Sequence, residues 1–481
     1  MKIHLIGNSK FQVRELTLDE MSYIKEFYSY DESVKKYDWK KKKWDFNAGT
    51  KTNIIPRTIN SDTLEFNQGF IFSFINMMYP RMDSVDVAGI VNHFQNKDFE
   101  ITNYYNLEDR NGAYYKVSEL LKFKRGILQI PTANGKTEII ATLARNIVDK
   151  LERVLVICET KPVLDELRNR IRELGVNVTD TFEPENIINV IKPTGFCSSH
   201  AYNKEAKDIF LSKCKYILAD EVETTITPTF QNMFECMHEV EYLWGFTATG
   251  NKMSSTGIPK DSSLKEILNG NIVNLISYYG FTPIDCRPEG LEVNIGIFNA
   301  SFRVHPDIKD KHEVISKITK NNKFYEIVHQ ILDTRQSLFI PSNNKQAFYN
   351  LLLDREFYSE NTIFISGDGY QLWNNNKKIR NLNLEEVKFL VQDRQVKLIL
   401  GTRTSYRGID FHGLDSALIA FEAQSATLRQ IIGRLTRGDK FSVYMIKNDE
   451  YITSFSSYFY VNMKEIKRYY EKCKLIIKNM N

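Results

Sequence analysis

The chain has 481 residues, and its 64 Lys and Arg against 60 Asp and Glu leave a formal net charge of only +4. This length favours about three domains, and a composition of 42% hydrophobic and 26% charged residues excludes general disorder. No apolar run approaches the ~20 residues of a membrane span and no signal peptide is evident, so we expect a cytoplasmic protein without a membrane partner. The cysteines and histidines form neither a CxxC nor an HExxH motif, which argues against structural zinc.

The first hundred residues are rich in aromatics, Lys and Asn and predict a small α+β domain over 1–100. A strand is predicted at 2–6. Thr17 as N-cap with Glu20 three positions on predicts a helix over 17–30. A basic aromatic segment, KKYDWKKKKWDF, follows at 35–46, and a second helix is predicted over 67–78, before Pro80.

Beyond about residue 123, short apolar runs alternate with helix-like stretches, as in buried parallel sheets. The first series of runs lies at 127–130, 154–158, 216–220 and 243–248, and the second at 337–340, 362–366, 397–401 and 417–422. A stretch with Pro and Gly at 280–290 separates the two series. The pattern predicts two α/β domains in tandem, at 101–290 and 291–481.

The segment ILQIPTANGKT predicts a phosphate-binding loop between a buried strand and an amphipathic helix. Backbone N–H groups and a helix amino terminus favour an anion there. Lys136 would then reach the β- and γ-phosphates of a nucleotide, and Thr137 would bind Mg²⁺. Ile130 stands where the GxxxxGK[ST] pattern needs its first glycine, so an ordinary helix start is the alternative. The other predicted cofactor-binding residues of the loop are Thr132, Ala133, Asn134 and Gly135.

Asp220 ends the apolar run YILAD, 84 residues after Lys136, and a second acidic residue, Glu221, follows it. Sheets of this class place ligands at the carboxyl ends of their strands. Asp220 would hold Mg²⁺, and Glu221 would activate water as a general base. A solvated acidic loop is the alternative for this pair taken alone.

The segment LRQIIGRLTRG predicts a helix that presents Arg434 and Arg437 on one face. Arginine stays charged and suits the stabilisation of a γ-phosphate in the transition state. A solvated cationic helix is the alternative.

The segments PTANGKT, ADEVET, GFTAT, LGTRTSYRGID and QIIGRLTR follow one another in the order of the superfamily 2 helicase motifs. Over about residues 110–440 the chain resembles this family. The resemblance implies two RecA-like domains with Mg·ATP in the cleft between them and a nucleic-acid strand across both. It assigns coupling of hydrolysis to nucleic acid to Thr247 and Thr249. In the second domain it places Gly408, Asp410 and Gln430 at ATP and Thr402 near the nucleic-acid backbone. Arg434 and Arg437 would be arginine fingers.

Two features depart from that family pattern. The acidic motif reads DEVE, with Glu223 at its fourth position, and no adenine-reading glutamine is evident near Tyr114 and Tyr115. The amino-terminal hundred residues are similar to those of the phage UvsW-type branch-migration helicases. That similarity implies a phage-like enzyme acting on forks, Holliday junctions, D-loops and R-loops, with DNA or RNA–DNA hybrids and recombination or replication proteins as partners. We expect a monomer.

Three further segments are candidate DNA contacts. In the basic aromatic segment the predicted DNA-binding residues are Lys40, Lys41, Lys42, Lys43 and Trp44, with an exposed hairpin anchored by its Trp residues as the alternative. Residues 367–386 are a long connection in which Trp373 would contact DNA at a branch point, and a decorated surface loop is the alternative. Residues 461–481 predict a basic carboxy-terminal helix, which could equally be a solvated face.

The sequence therefore predicts an ATP-dependent DNA translocase that remodels branched DNA. Two alternatives stay open. One is an RNA helicase or annealing motor, and the other is an ATPase-deficient nucleic-acid-binding scaffold, which the departures from the family pattern would favour.

Overall fold

The computed structural model describes residues 1–7, 10–33, 36–38, 43–45, 49–78, 82, 84–96, 99–109, 113–130, 135–158, 161–192, 196, 204–222, 240–247, 279–280, 283–285, 289–300, 302, 311–342, 344–402, 405, 411, 413–420, 425–435, 440–447 and 454–480. The chain divides into two compact units. The first contains Met1–Ile130 and Gly135–Cys286, and the second contains Arg287–Asn481. The domain boundaries after residues 100 and 290 stay predictions.

The first unit begins with antiparallel strands. They are β1 (Lys2–Ile6), β2 (Lys10–Arg14), β3 (Ser29–Ser33), β4 (Lys36–Asp38), β5 (Lys43–Asp45), β6 (Thr50–Ile54), β7 (Arg57–Asn60) and β8 (Thr63–Asn67). Four of them form a sheet in the order β1-β2-β8-β7. The others form two-stranded ribbons, in which β3 pairs with β6 and β4 pairs with β5.

Three helices accompany these strands: α1 (Leu18–Phe27), α2 (Ile71–Met78) and α3 (Ser84–Phe94). The predicted capping box of α1 is confirmed, because the Thr17 hydroxyl accepts from the Glu20 backbone and the Glu20 carboxylate accepts from the Thr17 backbone. Helix α2 follows a 3-10 turn at Gln68–Phe70 and ends before Pro80, as predicted.

A six-stranded parallel sheet forms the rest of the first unit. Its strands are β9 (Arg125–Gln129), β10 (Arg153–Ile157), β11 (Ile188–Ile191), β12 (Cys214–Asp220), β13 (Tyr242–Thr247) and β14 (Pro283–Asp285), in the order β11-β10-β12-β13-β9-β14. Its helices are α4 (Ala113–Leu121), α5 (Lys136–Asp149), α6 (Lys161–Glu173) and α7 (Lys204–Leu211). The four apolar runs of the first series are confirmed as parallel strands.

Both faces of this parallel sheet are buried, because its side chains alternate between two hydrophobic clusters. Leu155 and Ile157 of β10 pack in one cluster with Phe11 and Phe66 of the amino-terminal sheet. The intervening Val154 and Val156 pack in the other cluster with residues of α4, α5 and α6. The amino-terminal sheet thus shares a core with one face of the parallel sheet.

The second unit contains one nine-stranded sheet. Its strands are β15 (Glu289–Asn299), β16 (Leu338–Pro341), β17 (Thr362–Ser366), β18 (Gly369–Asn374), β19 (Lys377–Leu382), β20 (Leu398–Gly401), β21 (Ser416–Ile419), β22 (Lys440–Lys447) and β23 (Lys472–Met480), in the order β19-β18-β17-β20-β16-β21-β22-β15-β23. The helices are α8 (Lys311–Ile318), α9 (Asn322–Thr334), α10 (Lys345–Leu353), α11 (Leu384–Gln392), α12 (Ser425–Gly433) and α13 (Ser454–Tyr469). The second series of apolar runs is confirmed as the parallel strands β16, β17, β20 and β21.

The long connection at 367–386 is an antiparallel hairpin, β18 with β19, rather than a surface loop. Its turn residues Asn375 and Asn376 both have positive φ, as tight two-residue hairpins require. Because β18 runs antiparallel to β17, this turn lies beyond the amino end of β17, whereas Thr402 follows the carboxyl end of the neighbouring β20. The turn therefore lies at the sheet edge opposite to Thr402.

The predicted carboxy-terminal helix is wrong beyond Tyr469. Helix α13 ends there, and residues Lys472–Met480 form β23, which pairs in parallel with β15 at the edge of the sheet. Glu292 of β15 forms ion pairs with Lys474 of β23 at 2.9 Å and with Lys440 of β22 at 2.6 Å. Long-range pairing and these charges favour a strand over the local helical pattern. In the described part of the chain, no helix is long and apolar enough to cross a membrane.

Candidate functional site

The predicted phosphate loop connects β9 to α5 in the first unit. The Ile130 N–H donates to the Thr247 carbonyl at 2.8 Å, which fixes the exit of the chain from β9 beside β13. Gly135 precedes α5 with φ 80° and ψ 23°, a left-handed conformation that favours glycine. Lys136 and Thr137 therefore lie in the first turn of a 14-residue helix, where the helix dipole favours anions. Thr132, Ala133 and Asn134 fall outside the described residues.

The acidic pair lies at the carboxyl end of β12, beside this helix start. Asp220 is the last residue of the strand and is 1% exposed. Glu221 has φ 47°, and its backbone N–H donates to Asp220 Oδ1 at 2.9 Å. A non-glycine residue in this region of φ is strained, and such strain is common at functional sites.

The structure brings Lys136, Asp220 and Glu221 together. The Lys136 ammonium lies 2.8 Å from Asp220 Oδ1 and 2.5 Å from Glu221 Oε1. The Lys136 side chain is 14% exposed and that of Asp220 is 2% exposed, so their charges are largely shielded from water. One ammonium thus neutralises part of the charge of two carboxylates at the edge where such sheets bind ligands.

Burial and charge act on the pKa values of this cluster in opposite directions. Burial raises the pKa of Asp220 above its usual value, and the nearby Lys136 only partly offsets this effect. Burial by itself would lower the pKa of Lys136, but the charges of Asp220 and Glu221 outweigh it, so the pKa of Lys136 is raised. Lys136 therefore stays cationic, while Asp220 is easier to protonate than an exposed aspartate.

Cys158 is a neighbour of the site that the sequence did not single out. It follows β10, it is buried, and its Sγ lies 3.9 Å from Asp220 Oδ2. Its position just after a parallel strand adjacent to β12 was the available signal. Thr247 ends β13 and is fully buried, whereas Thr249 and Glu223 lie outside the described residues. Tyr115 of α4 is 68% exposed.

In the second unit, Thr402 is buried immediately after β20. Its N–H donates to the Ile365 carbonyl at 2.8 Å, and its carbonyl accepts from the Ser405 hydroxyl at 2.6 Å. Gly401 is required next to it, because a Cβ there would overlap Ser405 Oγ. Gly408 and Asp410 lie outside the described residues.

The predicted helix does not include Arg434. Helix α12 ends at Gly433, and Arg434 lies in the following turn, where its N–H donates to the Ile431 carbonyl at 3.1 Å. Both Arg434 and Gln430 are buried. Arg437 lies outside the described residues.

The predicted DNA contacts have different outcomes. Lys40, Lys41 and Lys42 lie outside the described residues, and Lys43 and Trp44 belong to β5. The prediction that Trp373 contacts DNA does not fit the structure, because its side chain is buried in the core of the second unit. The indole packs edge-on against Tyr349, and its N–H donates to Gln371 Oε1 at 3.1 Å.

Comparison with known proteins identifies the segment that carries the site. Residues 100–252 match the family model described as type III restriction enzyme, res subunit. This segment contains Lys136, Asp220 and Glu221. A search of curated proteins gave no match.

Several solved structures are similar at low identity. T4 UvsW is 14% identical over 99% of both chains, with a TM-score of 0.40. S. cerevisiae Dbp5 bound to RNA and ADP BeF3 is 14% identical over 74% of this chain and 85% of its own, with a TM-score of 0.44. The helicase MrfA bound to DNA and AMPPNP is 14% identical over 83% of this chain and 59% of its own, with a TM-score of 0.48. The fold described here rests on the strand pairings given above.

Proposed function

We propose that the chain is an ATP-dependent translocase that remodels branched DNA. The observation that carries this proposal is the cluster of Lys136, Asp220 and Glu221, held at the carboxyl edge of a parallel sheet beside a glycine-capped helix start. A lysine and two carboxylates in this position are the parts that triphosphate hydrolysis needs.

The residues of the cluster fit Mg·ATP. The Lys136 ammonium lies between two carboxylates, so a cation is already stabilised there. Carboxylate and hydroxyl oxygens are ligands that Mg²⁺ prefers, and Asp220 and Thr137 would hold it. Mg²⁺ held there would offset part of the negative charge of the phosphates. Lys136 would exchange its carboxylate partners for phosphate oxygens, which leaves Glu221 free to accept a proton from the attacking water.

Residues of the second unit have proposed roles at the same nucleotide and at the nucleic-acid strand. We assign the stabilisation of transition-state charge to Arg434 and Arg437, since a guanidinium stays charged at any working pH. Gln430, Gly408 and Asp410 are assigned to ATP, and Thr402 to the nucleic-acid backbone. These assignments rest on the motif order in the sequence.

Branched DNA is the proposed substrate for two reasons. The amino-terminal hundred residues are similar in sequence layout to UvsW-type enzymes, and six lysines lie within residues 35–43 of that region. Clustered lysines neutralise backbone phosphates and give affinity for nucleic acid of any sequence.

The test is ATP hydrolysis and branch migration by the full chain on forks, Holliday junctions, R-loops, plain duplexes and single-stranded RNA. We expect the branched DNA substrates to stimulate hydrolysis most and to be processed. The matched control is Glu221→Gln, which keeps the shape of the side chain and removes the base. Stronger stimulation by RNA than by forks would favour an RNA helicase, and no turnover with any polynucleotide would favour a binding scaffold.

A further inference from the structure

The solvent-facing side of helix α13 carries one aromatic and three basic side chains. Lys464 lies four residues after Tyr460, and Lys467 and Arg468 lie three and four residues after Lys464. Side chains three and four positions apart on a helix are neighbours on one face. All four side chains are exposed, and 59% of the surface of Tyr460 is open to solvent. We call these four residues the α13 stripe.

The opposite face of α13 is fixed in the core of the second unit. Met463, Ile466 and Tyr469 are buried there in one hydrophobic cluster. The same cluster contains Leu428 and Ile431 of α12. Because burial of one face fixes the rotation of a helix about its axis, the α13 stripe is held on the solvent side.

The fold leaves the charge of the α13 stripe uncompensated. No described carboxylate forms an ion pair with any of its three basic side chains. By contrast, Lys317 of α8 and Lys323 of α9 each pair with a glutamate one turn away, at 3.7 Å and 3.0 Å. The helix dipole favours Lys467 and Arg468 in the last turn, but Lys464 lies one turn earlier and gains little from it. Like charges at this spacing repel one another, so a bound anion would stabilise them.

An exposed ring beside unpaired cations suits a single strand of nucleic acid. Cations neutralise the backbone phosphates, and an aromatic ring stacks on a base of any sequence. The helix rises about 12 Å from Tyr460 to Arg468, which matches about three nucleotides of a stacked strand. A base inside a duplex is covered on both faces by its neighbours, so it offers no face to Tyr460.

We infer that the α13 stripe binds an unpaired strand of DNA. Tyr460 stacks on a base, and Lys464, Lys467 and Arg468 neutralise the phosphates beside it. This inference rests on the proposed function, and it adds a strand contact in the second unit to the one assigned to Thr402.

The experiment measures the affinity of the full chain, without nucleotide, for single-stranded oligothymidylate at a series of salt concentrations. The slope of log K against log salt falls in magnitude by about 0.7 for each single-strand phosphate that the protein no longer neutralises. For Lys464→Ala/Lys467→Ala/Arg468→Ala we therefore expect a decrease of about 2. Tyr460→Ala should lower the affinity about tenfold at every salt concentration, as the loss of one stacked base does, and Tyr460→Phe should retain it. Because all four side chains are exposed, these substitutions leave the core intact.

The matched control is Lys317→Ala/Lys323→Ala/Lys388→Ala, which removes the same net charge from lysines of the second unit that pair with carboxylates. We expect its slope to equal that of the unaltered chain. An unchanged slope in the variant of the α13 stripe would overturn the inference, and so would an equal decrease in the control.

Three other results would also contradict the inference. They are full affinity in Tyr460→Ala, a decrease of about 2.7 in the slope on blunt duplex DNA with none on the single strand, and tighter binding of oligouridylate than of oligothymidylate. Because no hydrolysis is measured, the outcome is independent of whether the active-site assignment holds.

Discussion

Replacing Lys136 by alanine removes the cation that lies between Asp220 and Glu221. The two carboxylate oxygens are 2.8 Å and 2.5 Å from its ammonium. Breaking a buried ion pair by removing one partner costs about 3–5 kcal/mol of the free energy of unfolding. Because the Glu221 side chain is 28% exposed and retains some hydration, we expect the low end of this range, about 3 kcal/mol for the nucleotide-free protein.

The loss depends on pH with a definite sign. Burial already raises the pKa of Asp220 in the folded protein, and removal of Lys136 raises it further. The folded variant therefore takes up a proton at a higher pH than the unaltered chain does, and a protonated Asp220 needs no counter-charge. The stability difference between the two proteins is largest near pH 8 and shrinks as the pH falls towards the raised pKa of Asp220.

Urea denaturation of the nucleotide-free full chain, at pH 8 and pH 5, measures this difference. The matched control is Lys136→Ala/Asp220→Asn, which removes the buried charge and should recover most of the lost stability. Both variants should lack ATP hydrolysis, and Lys136→Ala should retain most of its DNA binding. Equal stability of Lys136→Ala and the unaltered chain at pH 8 would show that the two ion pairs of Lys136 contribute nothing to the free energy of unfolding.

Three further outcomes are expected. Glu221→Gln should bind nucleotide without turnover, since an amide cannot accept the proton, and trapping of labelled ATP checks this. Trp373→Ala should lower the free energy of unfolding by about 3–5 kcal/mol and leave the DNA affinity of the folded protein unchanged; a selective loss of affinity would contradict its burial. Hydrogen bonds from Lys440 and Lys474 lower the pKa of Glu292 to about 2 from 4.5. The ion pairs of Glu292 should therefore stabilise β23 above pH 4.5, and this stabilisation should be lost as the pH falls towards 2. Hydrogen exchange of the β23 amides measures it, and Glu292→Gln should remove the pH dependence.

Much of the fold was predictable because its signals are local. Buried parallel strands are short apolar runs, and the runs at 154–158 and 362–366 coincide closely with β10 and β17. The capping box of Thr17 and Glu20 is likewise contained within four residues. These patterns depend only on residues that are close together in the sequence, so one sequence is enough to recognise them.

The predictions were wrong where pairing between strands far apart in the sequence decides the structure. Lys464, Lys467 and Arg468 have spacings that suit a helix, and the predicted helix continued to residue 481. Pairing with β15, which lies more than 170 residues earlier, makes residues 472–480 a strand instead. The sequence suggested that Trp373 is an exposed aromatic residue near lysines. Its strand, β18, pairs with β17, and its buried indole packs against Tyr349.

Part of the candidate site was also predictable. A recognisable helix begins at Lys136, and a recognisable apolar strand ends at the acidic pair. Parallel strands bring their carboxyl ends to one edge of the sheet. The sequence could not predict that Lys136 forms ion pairs with both carboxylates, since their distances depend on packing across β9, β12 and β13.

On the proposed function, the cluster of Lys136, Asp220 and Glu221 hydrolyses ATP in response to branched DNA. The most direct test is the steady-state rate of ATP hydrolysis by the full chain, measured with and without forked DNA and repeated with Glu221→Gln. We expect forked DNA to raise the rate strongly in the unaltered chain, and we expect the rate of the variant to stay at background. Hydrolysis that persists in Glu221→Gln, or that no polynucleotide stimulates in the unaltered chain, would contradict it.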